Sequence, residues 1–247
     1  MPDTKVVSML RSPLLAMMCA LGCCAAAMAQ TADPGVAFSA AQPGGALPGG
    51  WQNRPVVSGK KLTQYTLVAD QGTTVLQADA SGAASGLVHA GDVDLAKTPV
   101  VKWRWKVAAP IPGADNNVGD KEDAPARLVF FFDGQSSNLS VGDRVEMVAA
   151  SAAGDKLPYA TLMYIWTNSA PVGTIIPNPH TSRVQMIVVG SEPGKWQNLR
   201  RNVASDFERA FHEKPGKLTG YGILTDSDNT GARARAWYGD IRFTAAQ

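Results

Sequence analysis

From about Gln64 onward, short apolar runs alternate with polar positions and are separated by Gly, Pro, Asp and Asn. This is the period-two signature of strands on a half-buried sheet. Tyr65 to Ala69, Thr74 to Ala78 and Gly86 to Ala90 fit it. Val101 to Val107 fits it best, with Val101, Trp103, Trp105 and Val107 on one face and Lys102, Arg104 and Lys106 on the other. Leu128 to Phe132 is apolar on both faces, as expected of a central strand covered from each side. Leu162 to Trp166, Met186 to Val189, Tyr221 to Thr225 and a single long strand from Ala236 to Phe243 complete roughly eight to ten strands.

Helical patterning is scarce. Ser205-Asp206-Phe207-Glu208 reads as a capping box opening a helix that runs to about His212 and stops before Pro215. A second helix fits within Gly142 to Ala153, where Val145, Val148 and Ala149 share a face. Many short strands, few helices and turn-rich joints imply an all-β fold: a jelly-roll β-sandwich with one or two short helices.

The first 29 residues stand apart. Lys5 and Arg11 precede an apolar run from Leu14 to Ala27, and Ala27-Met28-Ala29 gives a small-x-small cleavage pattern before Gln30. The expectation is a signal peptide over residues 1–29 and a periplasmic or secreted protein. Ala20-Leu21-Gly22-Cys23 keeps the alternative of a lipoprotein anchored through Cys23. All three cysteines lie in this segment, so after ordinary cleavage stability must come from a core or a bound ion. Residues 30–50, rich in Ala, Gly and Pro, read as an irregular lead-in to one domain over residues 51–247.

Charge narrows the classes of partner. The formal net charge is +2 and barely changes once the leader is set aside. That gives no electrostatic case for nucleic acid as a partner or for an anionic membrane surface. Nucleophile elbows, zinc-binding helices, phosphate loops and Cys/His metal clusters are missing from the sequence. Of His89, His180 and His212, only His180, in Pro177-Asn178-Pro179-His180-Thr181, sits in a loop suited to ligand contact.

Thr225-Asp226-Ser227-Asp228-Asn229-Thr230-Gly231 packs oxygen-bearing side chains onto one turn. Such a turn suits a structural calcium, with Asp226, Asp228 and Asn229 as ligands. It also suits an Asx-turn network, which needs the same residue types. The twelfth position is Trp237 where an EF-hand needs Glu, so an EF-hand is excluded. Carboxylates drawn from Asp123, Asp206, Asp226 and Asp228 would be needed for glycoside hydrolysis, which places two carboxyls about 5–10 Å apart. Trp166 and Trp237 are equally suited to core and to a groove that stacks sugar rings. Arg200 and Arg201 alternate across a strand, so only one faces any groove.

Several runs recur together in order: Trp103-Arg104-Trp105-Lys106-Val107, Asp123-Ala124-Pro125-Ala126-Arg127, Met163-Tyr164-Ile165-Trp166 and Asn178-Pro179. They are followed by Arg201-Asn202-Val203, Asp206-Phe207, Thr225 to Gly231 and Trp237-Tyr238-Gly239-Asp240-Ile241. As a set they resemble the bacterial exported family called domain of unknown function 3047. The resemblance implies a jelly roll similar to carbohydrate-binding modules and brings no activity with it. It marks Asp123, Arg127, Asn178, Arg201, Asp206, Asp226 and Asp228 as a shared site. The closing Gly239 to Phe243 is similar to the last strand of galactose-binding-like domains, which makes Asp240 a further calcium candidate by resemblance.

The sequence thus leads to an exported sandwich that binds a glycan or another polar envelope ligand without catalysis, with no catalytic residue assigned. An envelope hydrolase and a structural partner in a protein assembly are the alternatives.

Overall fold

A computed structural model describes residues 34–152 and 157–246. The signal-peptide and Cys23 expectations fall outside them. Asp33 to Gln247 form one compact unit. Its strands are β1 Trp51–Pro55, β2 Gln64–Asp70, β3 Thr73–Ser81, β4 Ala84–Val93, β5 Val100–Val107, β6 Arg127–Phe132 and β7 Ala160–Trp166. They continue as β8 Ile175–Pro177, β9 Val184–Gly190, β10 Gln197–Asn202, β11 Leu218–Asp226, β12 Arg233–Tyr238 and β13 Arg242–Thr244. The helices are α1 Val141–Ala152 and α2 Val203–Phe211.

The strands form a jelly-roll sandwich. One sheet has the order β1-β4-β11-β6-β7-β9-β8 and the other β10-β5-β12-β3-β2, with β13 added on β5. Pairing is antiparallel except between β7 and β9. β6 lies at the middle of the larger sheet, which explains its apolar residues on both faces.

Between the sheets, alternate residues of β5 and β12 meet those of β6, β7 and β11. Trp103 stacks on Tyr164 across the gap, with ring centroids 5.3 Å apart. The Trp105 ring is fully buried, its Nε1 donating to Gln197 Oε1. Tyr238 of β12 reaches the opposite sheet, where its hydroxyl donates to Leu224 O at 3.1 Å and lies 2.8 Å from Thr225 Oγ1. A buried polar tip is tolerated only with such partners.

Three expectations need correction. Residues 36–41, irregular in backbone, are packed into the domain rather than leading in to it: Phe38 is fully buried against Trp51, and Val36 pairs with Ile241 through two backbone hydrogen bonds. The strand expected from Ala236 to Phe243 is broken between Tyr238 and Arg242 into β12 and β13, and in the gap Asp240 accepts from Ser39. Helix α2 begins before Ser205. Its N-cap is Asn202, whose Oδ1 accepts the Ser205 N–H at 3.0 Å, and it closes at His212 in the left-handed region (φ 58°). Among the described residues no helix is long and apolar enough to cross a membrane.

Candidate functional site

Six of the candidate residues converge at one end of the sandwich, around Arg127. This arginine opens β6 and is 1% exposed. Its Nε and Nη2 donate to Asp226 Oδ1 and Oδ2 at 3.1 and 2.9 Å, while Nη1 and Nη2 donate to the Glu122 carboxylate and carbonyl at 2.7 and 2.6 Å. Asn178 Nδ2 donates to the other Glu122 oxygen at 3.0 Å. A guanidinium is suited to this forked arrangement. Burial pushes the Asp226 carboxyl up to about 7, with Arg127 acting against that rise. Desolvation would weaken the Arg127 charge, but Asp226 and Glu122 outweigh it and raise its pKa.

Asp123 is bound by the neighbouring turn. Its carboxylate accepts the backbone N–H of Asn229 at 3.1 Å and, from Thr230, the N–H at 2.8 Å and the hydroxyl at 2.6 Å. Asp228 pairs with Lys60 at 2.6 Å. Asn229 Nδ2 donates to Gly119 O at 3.0 Å, and His180 Nε2 lies 3.2 Å from that same oxygen. Asp123, Asp226 and Asp228 bring carboxylate oxygens within 4.8 Å of one another. Their oxygens already meet backbone and hydroxyl donors, Arg127 and Lys60, all from distant parts of the chain rather than from the local bonds of an Asx turn. Asp240 lies outside it, bonding Ser39 and Arg242.

Arg201 and Asp206 form a second, separate group. Asp206 is buried at the start of α2 and receives Arg201, Arg209 and the Tyr164 hydroxyl, the last at 2.8 Å. Burial holds the Tyr164 phenol well above its ordinary pKa. Because Tyr164 is on β7 and Arg201 on β10, this group ties the two sheets together. Trp166 is 1% exposed and belongs to the core rather than to a groove.

The outer face of the six-stranded sheet is different. Trp237 points there from β12, its Nε1 donating to Gln77 Oε1 at 2.8 Å. Lys106 Nζ sits 4.4 Å from the centre of the Trp237 ring and 5.3 Å from that of Trp196. The Arg104 guanidinium carbon lies 4.4 Å from the Trp196 ring centre. Asp70 accepts from Lys106 at 2.9 Å and from Trp196 Nε1 at 2.7 Å. The Lys106 hydrogen bond, with that of Trp196 and against some burial, holds the Asp70 carboxyl below its usual range. The result is a half-buried ladder of cations and aromatic rings held by carboxylate and amide. Sequence reasoning selected only Trp237 from it. The visible signal was Lys102, Arg104 and Lys106 all on the side of β5 turned from the core.

Beside this ladder lies a groove of about 500 Å³ lined by Lys102, Arg104, Asn198, Arg200, Asp240 and Arg242, among others.

The family model described as "Protein of unknown function (DUF3047)" matches residues 49–242. No curated protein matches the sequence. Among solved structures, the chain resembles Trichoderma harzianum endoglucanase 3 from family GH12, at 8% identity and TM-score 0.39, over 81% of this chain and 100% of that one. It also resembles the xyloglucanase domain of NopAA, a type three effector from Sinorhizobium fredii in complex with cellobiose, at 7% identity and TM-score 0.43, over 83% and 99%. The third is the cellulose induced protein Cip1, at 12% identity and TM-score 0.35, over 82% and 94%. At these values the likeness is one of fold alone.

Proposed function

This chain belongs to the DUF3047 family, whose function is unknown, and on that premise we propose an exported protein that binds a glycan without cleaving it. The observation that carries the reading is the ladder of Trp196 and Trp237 with Arg104, Lys106, Asp70 and Gln77 on the outer face of the smaller sheet. Half-buried indole rings fixed by their own Nε1 hydrogen bonds offer rigid apolar surface, and polar side chains beside them can bond sugar hydroxyls. Rings held in advance lose little freedom when a ligand docks.

Cleavage lacks comparable support. Asp123, Asp206 and Asp226 are buried and already bonded to arginine, hydroxyl or backbone donors. A general acid must reach a glycosidic oxygen with a proton to give. Calorimetric titration of the purified chain with a panel of envelope and plant oligosaccharides should find a bound sugar, and Trp237→Ala should weaken it by about tenfold or more. A panel without a binder would remove this reading. Release of new reducing ends, abolished by Asp226→Asn or Asp206→Asn in a folded protein, would replace it with hydrolysis.

A further inference from the structure

The groove beside the ladder has its own charge pattern. Lys102, Arg104, Arg200 and Arg242 face it, with Asp240 as the one carboxylate in its lining. The whole chain is nearly neutral, at +2, so positive charge is concentrated on this face. The register explains the concentration. Arg200 of β10 and Arg242 of β13 both pair with Lys102 of β5, which stacks three cations across neighbouring strands. Like charges directly opposite are unfavourable for a sheet, so fold stability gives no reason for the arrangement. Asp240 engages Arg242, whereas among the described residues Lys102 and Arg200 have no carboxylate partner.

Arg104 is packed against two neighbours. Its guanidinium lies over Trp196, and its aliphatic stem runs against Gly239, where an added Cβ would meet Arg104 Cγ at 2.5 Å. Among the described residues it makes no ion pair or hydrogen bond with a carboxylate, although its charge helps to lower the Asp70 pKa through space. A guanidinium fixed in orientation, with no carboxylate hydrogen-bonded to it, is suited to bind an anion through two parallel hydrogen bonds.

We propose that this groove binds the anionic group of an acidic glycan, with Arg104 as the bidentate contact and Lys102 and Arg200 as flanking charges. The inference rests on the glycan-binding reading and names its ligand class. The shared chemistry is an oxyanion on a sugar, which a uronate carboxylate or a sugar phosphate would supply.

The test compares oligogalacturonate, a phosphorylated oligosaccharide and a neutral cello-oligosaccharide of equal length, titrated into the purified chain at several salt concentrations. At least one acidic oligomer should bind about tenfold or more tightly than the neutral one, and its affinity should fall as salt rises. Which acid binds tighter identifies the anion as carboxylate or phosphate. Arg104→Gln and, separately, the exposed Arg200→Gln should reduce acidic binding more than neutral binding, with circular dichroism verifying the fold. Equal affinity for neutral and acidic oligomers would overturn the charge inference and leave the glycan reading standing. Binding of no oligomer would end both. A single-stranded DNA of matched charge binding as tightly as the acidic sugars would overturn the inference in favour of a general polyanion surface.

Discussion

Arg127 and Asp226 are 99 residues apart in sequence, yet two hydrogen bonds of 3.1 and 2.9 Å join them inside the sandwich. The pair fastens the start of β6 to the last residue of β11, and Glu122 and Asn178 extend it to two loops. Replacing Arg127 with Met would leave the Asp226 and Glu122 carboxylates facing an apolar side chain. Breaking a buried pair from one side typically destabilises by about 3–5 kcal/mol. Urea unfolding of Arg127→Met should show a loss of that order, against well under 1 kcal/mol for Lys97→Met, whose ion pair is solvent-exposed.

Two carboxylates should give pH dependences of opposite sign. Asp70 has a lowered folded pKa, so its contribution is complete above the ordinary carboxylate range. That contribution fades as pH falls through the lowered value, and Asp70→Asn should flatten the acid limb of the stability profile. Asp226 is raised to about 7, so its contribution is complete below the ordinary carboxylate range and declines as pH rises through about 7. Asp226→Asn should remove that decline. Thermal melts from pH 3 to 9 of the two variants read both effects.

The cap of α2 separates Asn202 from Ser205. Asn202→Ala removes the side chain that accepts the Ser205 N–H and should lower stability by about 1 kcal/mol. Ser205→Ala, on an exposed side chain inside the first turn, should change it by less than about 0.5 kcal/mol. The reverse ranking in denaturant unfolding would restore Ser205 as the cap.

Phe38 lies outside the residues that match the family model, yet it is fully buried in the shared core. Phe38→Ala should destabilise by about 3–5 kcal/mol. A chain beginning at residue 49 should melt well below one beginning at residue 34, since it loses Phe38, the Val36 bridge and the Pro34 carbonyl that accepts the Tyr221 hydroxyl.

Calcium should leave the melting temperature unchanged. An ion at a hundred times its dissociation constant would add about 2.7 kcal/mol. At the Asp226 turn it would have to displace Lys60, Arg127 and three donors from Asn229 and Thr230. A calcium-dependent rise abolished by Asp228→Asn would establish an ion site there.

The central strands were legible and the edge strands only in part: β2, at one edge, shows the alternation from Tyr65 to Ala69. β5, β6, β7, β9 and β11 each carry a buried face, and alternation or continuous apolarity marks them. β1, β8 and β10 also lie at edges and bury too little to show a full period, and of β10 only Arg200 and Arg201 were read as alternating across a strand. The site was legible in the same uneven way. Asp123, Arg127, Asn178, Asp226 and Asp228 do come together, but Glu122, which joins Arg127 to Asn178, bore no local mark. Trp166 and Trp237 occupy similar strand positions, and only the register decides that one faces inward and the other outward. Trp196 precedes an edge strand of little pattern, so its contacts with Arg104 and Lys106 followed from no periodicity.

The bridge between Val36 and Ile241 joins the two ends of the domain, and Ser39 and Asp240 reinforce it. A ribosome delivers Val36 early and Ile241 about two hundred residues later, roughly 10–40 s afterwards at ordinary synthesis rates. During that interval Phe38 waits without the C-terminal strands that complete the core around it. The bridge can therefore close only after Ile241 has been made, and the complete sandwich cannot form while that residue is missing.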